Sequence, residues 1–365
     1  MSADAVAVED VATAVYRFPT AGPEQDGTLR WDATVAVTVQ VTAGGRTGLG
    51  WTYSSPAAAG VITHHLAPAL TGRDAFDVDG AFLAMRRACR NLGTKGLVMQ
   101  AVSAVDIALW DLKARLLDRP LDTLLGRVRD RVPVYGSGGF VNLDHDQLAD
   151  EVAGWQAVGC TAMKIKIGSG DGADVGRDFN RVQQVRALAG DRVELMVDAN
   201  GAYGTGSARR VGAALESAGV SWFEEPVSSD DTDGLQEVRR SLLCDVAAGE
   251  YISDTYDAER LVPVVDCLQL DVTRCGGYTG WRRAAAVAGA HNRQVSGHCA
   301  PSLHAWIGAA TPHLRHVEYF VDHARLEPLL VDGRPEVTGG ALRLPDGVVG
   351  HGMTLAATAA RFRTG

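Results

Sequence analysis

Seven short apolar segments between residues 162 and 320 end in, or carry, ionisable side chains of the kinds that move protons and hold cations. AMKIKI (162–167) carries Lys164 and Lys166, two apart and so on one face of a strand. VELMVD (193–198) ends at Asp198, with Asn200 just beyond, and SWFEE (221–225) ends at Glu224 and Glu225. VAAGE (246–250) ends at Glu250, CLQLD (267–271) at Asp271 and QVSGH (294–298) at His298, while HVEYF (316–320) carries Glu318. One such residue is unremarkable; seven successive segments are hard to explain as solvated surface. Asp198, Glu224 and Glu250 follow one another at intervals of 26 residues, the length of a strand, a helix and two loops. Three oxygen donors on three adjacent strands suit a hard divalent cation, Mg2+ above all. That set contains no His or Cys, which Zn2+ would want. Lys166 and His298 are then the groups left to move protons. Asp271, 27 residues before His298, can orient the imidazole and raise its basicity. Lys166 works as a base only with a lowered pKa, and burial, Lys164 and a bound cation all push that way.

Such side chains need a scaffold that gathers strand ends. With VPVYGS (132–137) the segments make eight strands, seven of them followed by a helical stretch, between residues 131 and 330. Strand–helix alternation implies a parallel sheet. Eight units imply a TIM-type barrel, whose active sites sit at the C-terminal strand ends. Neither GxGxxG after a strand nor GxxxxGK[ST] occurs. Ahead of the barrel, Thr34 to Val41 alternates and is rich in β-branched residues; a turn over 42–45 and a return over Gly48 to Tyr53 make a hairpin. PTAGPEQDG (19–27) reads as a flexible loop. Residues 60 to 126 read as helical, with Asp106 and Asp111 interrupting the apolar face of 101–116 and Gly126 as a stop. The tail, 340–352, is turn-rich and reads as a cover for the N-terminal segment, off the barrel strands.

Composition narrows the partners. Of 365 residues, 46% are apolar and 22% charged, which excludes disorder across the chain. The formal charge of −9 makes a poor non-specific nucleic-acid binder. No apolar run approaches membrane-spanning length. Met1-Ser2-Ala3-Asp4 has neither a basic n-region nor an apolar h-region, so no signal peptide is expected. Six cysteines without a CxxC are expected to be reduced, in a cytoplasmic protein. Cys299, beside His298, is read as packing because no further base stands next to it.

The order of motifs resembles a known family. Met163-Lys164-Ile165-Lys166-Ile167-Gly168, Val197-Asp198-Ala199-Asn200-Gly201 and Phe223-Glu224-Glu225-Pro226 are followed by Ala248-Gly249-Glu250 and Leu270-Asp271 through Gly276-Gly277-Tyr278-Thr279-Gly280-Trp281. Ser296-Gly297-His298 and Val317-Glu318-Tyr319-Phe320 come next. Ser103 to Asp111 is similar to the family's capping-domain helix and Leu344-Pro345-Asp346-Gly347 to its closing turn. Across nearly the whole chain this resembles the mandelate racemase branch of the enolase superfamily, in which a Lys or His base works beside Mg2+.

The resemblance implies a modified (β/α)7β barrel over residues 131–330. It also implies an α+β capping domain, formed by 1–130 and completed by 331–365. It assigns Mg2+ to Asp198, Glu224 and Glu250, and acid/base work to Lys166 and the His298–Asp271 dyad. Lys164 would neutralise the substrate carboxylate. Glu318, as a protonated acid, would hydrogen-bond its far oxygen, and Asn200 would meet the α-substituent. Tyr53, Ser54, Ser55 and 19–27 fall where the family's specificity loops lie, and their polarity suits a hydroxylated substrate. A homo-oligomer, dimer or octamer, is implied.

The expected reaction is dehydration of an acid sugar, an aldonate or aldarate, to its 2-keto-3-deoxy product. Racemisation or epimerisation of a 2-hydroxy acid by the same residues is the alternative. A muconate-type cycloisomerase is disfavoured, because that branch has a lysine in place of Asp271. A non-catalytic sugar-acid binder on the same fold would not need both Lys166 and His298. Five carboxylates against Lys164 and Lys166 leave the site at −3, so the metal-free protein is expected to bind a carboxylate poorly.

Overall fold

The computed structural model describes residues 5–364; Met1 to Asp4, which carry the signal-peptide reading, lie outside them. Three antiparallel strands come first: β1 (Val8–Gln25), β2 (Arg30–Ala43) and β3 (Arg46–Tyr53). The expected hairpin turns through Gly44 and Gly45, both at positive φ, and pairs Ala43 with Arg46 through to Ala36 with Tyr53. The stretch 19–27 is not a flexible loop. After a register break beyond Pro19, which cannot donate to the ladder, pairing resumes at Glu24↔Trp31 and Gln25↔Arg30. Two side chains secure this extension. Trp31 Nε1 donates to Glu24 (2.8 Å), and Asp26 Oδ1 accepts from the N–H groups of Thr28 and Leu29 (2.7 Å each).

Helix α2 (Leu97–Leu116) covers the sheet, and α1 (Val78–Ala88) packs against α2. The two aspartates that break the apolar face of α2 are buried fasteners. Asp106 accepts from the Thr279 N–H in the barrel (3.0 Å). Asp111 accepts from the N–H groups of Leu49 (2.9 Å) and His351 (2.8 Å), tying sheet, helix and tail together. The helix packs so closely on β3 that a Cβ at Gly50 would stand 2.3 Å from the Ala104 carbonyl oxygen. Gly50→Ala is therefore expected to cost about 1–3 kcal/mol, read as a lowered midpoint in chemical denaturation.

Eight parallel strands follow: β4 (Arg131–Gly138), β5 (Ala162–Lys166), β6 (Glu194–Asp198), β7 (Val220–Glu224), β8 (Asp245–Ala248), β9 (Cys267–Leu270), β10 (Gln294–Gly297) and β11 (Leu314–Phe320). They pair in chain order and close through β11–β4. Each of the first seven leads into a helix: α3 (His145–Ala157), α4 (Val175–Ala189), α5 (Thr205–Ser217), α6 (Thr232–Ser241), α7 (Thr255–Leu261), α8 (Gly277–Ala290) and α9 (Pro301–Ala309). The fold is thus a closed eight-stranded α/β barrel with an N-terminal α+β cap. Strand β5 is buried along its whole length, lysines included, as expected where a strand is covered on both faces.

The tail departs from its sequence reading. Ala341–Arg343 is a strand that pairs antiparallel with the start of β4, Leu342 opposite Val132. Its apolar pair, Ala341 and Leu342, is buried there, at the end of the barrel away from the ionisable residues. Beyond it Gly350 accepts the Leu121 N–H (2.8 Å), and Arg115 donates to the Met353 carbonyl (2.9 Å), so the same tail also reaches the cap.

Candidate active site

The parallel register delivers the ionisable side chains to one rim. Lys166 stands opposite Asp198, and Asp198 opposite Glu224, at the last pairs of β5, β6 and β7. Glu250, Asp271 and His298 lie one or two residues past β8, β9 and β10, where the strands splay. Gly249 makes the turn to Glu250 at φ 132°, where a Cβ would come within 2.4 Å of the Gln269 carbonyl oxygen. Every member of the set is buried: Lys164, Asp198 and Glu224 fully, the others by at least nine-tenths.

Carboxylate oxygens of Asp198, Glu224 and Glu250 lie within 4.8 Å of one another. Lys166 Nζ reaches Asp198 Oδ2 (2.5 Å), and Lys164 pairs with Glu224 and, at 2.9 Å, with Glu318 Oε1. Glu250 Oε2 is buried without a hydrogen-bond partner. An all-oxygen triad with an unsatisfied buried oxygen fits a hard divalent cation.

On the far side, His298 Nδ1 lies 2.9 Å from Asp271 Oδ2, and its Nε2 faces Glu250 Oε2 at 3.3 Å. Asp271 Oδ1 accepts from the Thr273 N–H (2.6 Å) and hydroxyl (2.7 Å). A carboxylate so held is an acceptor only, which places the proton on Nδ1 and leaves Nε2 toward the cavity.

The charges follow from these contacts. Burial works against ionisation of Asp271, but the His298 hydrogen bond and Arg274 outweigh it and hold its pKa far below the usual range. For His298, burial favours the neutral ring, yet Glu250 and Asp271 raise its pKa. Lys166 corrects the sequence reading. Burial and Lys164 do lower its pKa, but among protein groups alone the Asp198 carboxylate wins and raises it. Glu318 is a second correction. Burial would protonate it, but Lys164 and His298 hold it ionised. Its oxygens accept from the Ser137 hydroxyl (2.6 Å) and the Cys299 N–H (2.7 Å), so here it is a carboxylate rather than the expected acid.

The remaining expected residues divide. Asn200, at φ 46°, donates its N–H to Asp198 (2.9 Å), and its Oδ1 is buried without a partner. The Tyr53 hydroxyl is spent on Glu327 (3.1 Å) and its ring lies on His323 (centroids 3.8 Å apart), so it offers the cavity a ring rather than a hydroxyl. The cavity that Lys166, Asn200, Glu250, His298 and Glu318 share has a volume of about 380 Å3 and is roofed by β1–β2 and Tyr53.

Further residues support the site, among them Arg274 and Glu225, whose places beside Asp271 and Glu224 in the sequence suggest a supporting role. Arg274 bridges Glu250 (3.1 Å) and Asp271 (3.3 Å), bringing the formal charge of the site to −2, which one divalent cation neutralises. Its position three residues past Asp271 was the only signal. Trp222 Nε1 donates to Glu224 Oε2 (2.9 Å); the two-residue spacing on one strand face announces it. Ser137 under Glu318 carries no sequence signal, and Glu225, next to a triad member, is kept protonated by burial and by Glu250. His304 accepts the Val272 N–H (3.0 Å) and His323 the Ala300 N–H (2.9 Å); both fix backbone beside His298. No helix among the described residues is long and apolar enough to cross a membrane.

Comparison with known proteins agrees with this geometry. Residues 10–126 match the description "Mandelate racemase / muconate lactonizing enzyme, N-terminal domain", and 147–359 match "Enolase C-terminal domain-like". The L-talarate/galactarate dehydratase of Salmonella typhimurium is 32% identical over 86% of this chain and 79% of its own length. Its crystal structure with Mg and L-lyxarohydroxamate superposes with a TM-score of 0.91 at 29% identity, covering 100% of this chain and 95% of that one. The 3,6-anhydro-alpha-L-galactonate cycloisomerase of Streptomyces coelicolor is 33% identical over 95% of this chain and 97% of its own. A mandelate racemase/muconate lactonizing enzyme-like protein from Rubrobacter xylanophilus is 42% identical, with a TM-score of 0.94 over 98% of this chain and 100% of that one.

Proposed function

Since the chain belongs to the mandelate racemase/muconate lactonizing enzyme family of the enolase superfamily, we propose that it dehydrates an acid sugar in the presence of Mg2+. The product would be the 2-keto-3-deoxy acid. The observation that carries this is the facing pair of proton-moving groups, Lys166 and the Asp271-oriented His298, on one cavity beside the acidic triad. A binding protein has no need of both.

Asp198, Glu224 and Glu250 are the residues that would hold Mg2+, in keeping with the dehydratase structure that contains Mg. When bound, the cation supplies positive charge against the dianion that forms as the α-proton leaves. Lys164 adds its ammonium charge at the substrate carboxylate. Asp198 and Glu224, holding a cation, would share their oxygens between it and the two lysines. With the Asp198 contact weakened, burial and the positive charges of Lys164 and the cation would lower the Lys166 pKa. One of Lys166 and His298 removes the C2 proton, and the other, as its acid form, gives a proton to the departing C3 hydroxyl. Asp271 holds the imidazole tautomer that makes Nε2 the working atom. Asn200 Oδ1 is free to accept from a substrate hydroxyl.

The substrate's far end is read from the cap. Asp26 Oδ1 is taken by turn donors, so Oδ2 is left for a hydroxyl. The same cavity is lined by Leu29, Trp31, Val35, Phe320 and Asp322; its own Lys and Arg, Lys166 and Arg274, come from the barrel rim. A second carboxylate there would meet Asp26 and Asp322, and Arg325 is already paired with Asp322. An aldonate is expected to exceed the aldarate of matching configuration by about tenfold or more in kcat/KM, since unpaired like charges cost several kcal/mol. Release of 2-keto acid from a panel of both classes, with Mg2+, tests the reaction and its preference together. A panel without turnover counts against dehydration; preferred aldarates count against the uncharged tail alone.

A further inference from the structure

Beside the acidic triad, the end of β10 carries a second set of metal-ligating atoms of different chemistry. We propose that His298, Cys299 and Glu318 form a site for a thiophilic divalent cation, Zn2+ above all, whose occupancy blocks the catalytic cavity.

The distances fit one ion. His298 Nε2 lies 3.4 Å from Cys299 Sγ and 3.8 Å from Glu318 Oε2, and donor atoms of all three residues fall within 4.8 Å of one another. Ligands of tetrahedral Zn2+ at about 2.0–2.3 Å stand about 3.3–3.8 Å apart. Adjacent residues of an extended strand point to opposite faces, so His298 and Cys299 could not normally share an ion. Here Cys299 (φ 54°) and Ala300 (φ 40°) are both left-handed. His304 Nδ1 at the Cys299 carbonyl (2.8 Å) and His323 Nδ1 at the Ala300 N–H (2.9 Å) hold that turn, bringing the thiol round to the imidazole.

Asp271 adds the outer partner that metal-binding histidines use, taking Nδ1–H and leaving the Nε2 lone pair to the ion. Glu250 Oε2 faces Nε2 from the triad side. The two sets differ in softness: imidazole and thiolate select Zn2+ or Co2+, while three carboxylates select Mg2+. Binding replaces the Sγ–H bond with a sulfur–metal bond and releases that proton to solvent. It also occupies Nε2 and Glu318, so substrate and the thiophilic ion exclude each other.

Co2+ titrated into the Mg2+-loaded protein should bind at one equivalent with a sulfur-to-metal charge-transfer band, and Zn2+ should abolish that band. Zn2+ well below the Mg2+ concentration should inhibit turnover, and a zinc-selective chelator should reverse it. Cys299→Ser, confirmed folded by its unfolding midpoint, should lose the band and raise the inhibiting Zn2+ concentration by about 10–100-fold. Cys244→Ser should leave both unchanged. His298→Asn, followed by the band alone, should also lose it. A band that survives in Cys299→Ser, or its absence from the unsubstituted protein, overturns the proposal.

Discussion

Replacing His298 by Asn, or Lys166 by Met, is expected to lower kcat by a factor of about 10^2–10^4, the range that general acid–base catalysis supplies. Neither change opens the fold: Asn keeps a donor toward Asp271, and Met fills the buried stem of Lys166. The two variants should fail differently. The one lacking the base neither turns over nor exchanges the α-hydrogen with solvent. The one lacking the acid still exchanges it but cannot expel the hydroxyl, so exchange outruns product formation. Which variant is which depends on the face that the substrate presents. Asp271→Asn should reproduce the His298 defect, because it would present the wrong partner to Nδ1 and turn the lone pair away from the cavity.

Stripping the divalent cation is expected to remove turnover and also to weaken substrate binding. The protein groups of the site carry a formal −2: Asp198, Glu224, Glu250, Asp271 and Glu318 against Lys164, Lys166 and Arg274. A carboxylate entering that field from about 6 Å, at an effective permittivity of about 20, meets roughly 3 kcal/mol of repulsion per unit of unbalanced charge. That is about a hundredfold in Kd for each unit, and so at least a hundredfold for the site, read by calorimetry with and without Mg2+. Glu250→Gln should weaken Mg2+ binding and turnover but show only about half of the repulsion, since it removes a triad carboxylate and takes the formal charge of the metal-free site to −1.

How much was legible in the sequence depended on how the information is carried. The rim residues were legible because a parallel barrel repeats one geometry: the residue at each strand end arrives at the same place. Strand limits were legible to within a residue or two, and Glu250, Asp271 and His298 fall just past the hydrogen-bonded pairs because the chains splay there. Contacts between non-neighbouring segments were not legible. Ser137 on Glu318 joins residues 181 apart, and that hydrogen bond helps decide the charge of Glu318. Residues 19–27 misled through composition: Pro19, Gly22, Pro23 and Gly27 suggest a loop, but Trp31 and Asp26 stabilise a paired ribbon across them. The tail misled because the short apolar pair Ala341–Leu342 carries no periodicity, and only the exposed start of β4 explains its pairing. Cys299 does pack against Phe140 and Phe320, as read; the left-handed turn that also brings its thiol to His298 has no sequence signature in a residue other than Gly.

The most direct measurement is proton NMR of the Mg2+-loaded protein in D2O with the acid-sugar panel. Loss of the C2 hydrogen together with loss of the C3 hydroxyl, giving a 2-keto-3-deoxy acid that carries deuterium at C3, is the predicted result. Unchanged C2 hydrogens across the panel, with Mg2+ binding shown separately, would contradict proton abstraction by Lys166 and His298; exchange with inversion at C2 and no loss of water would instead make the protein an epimerase.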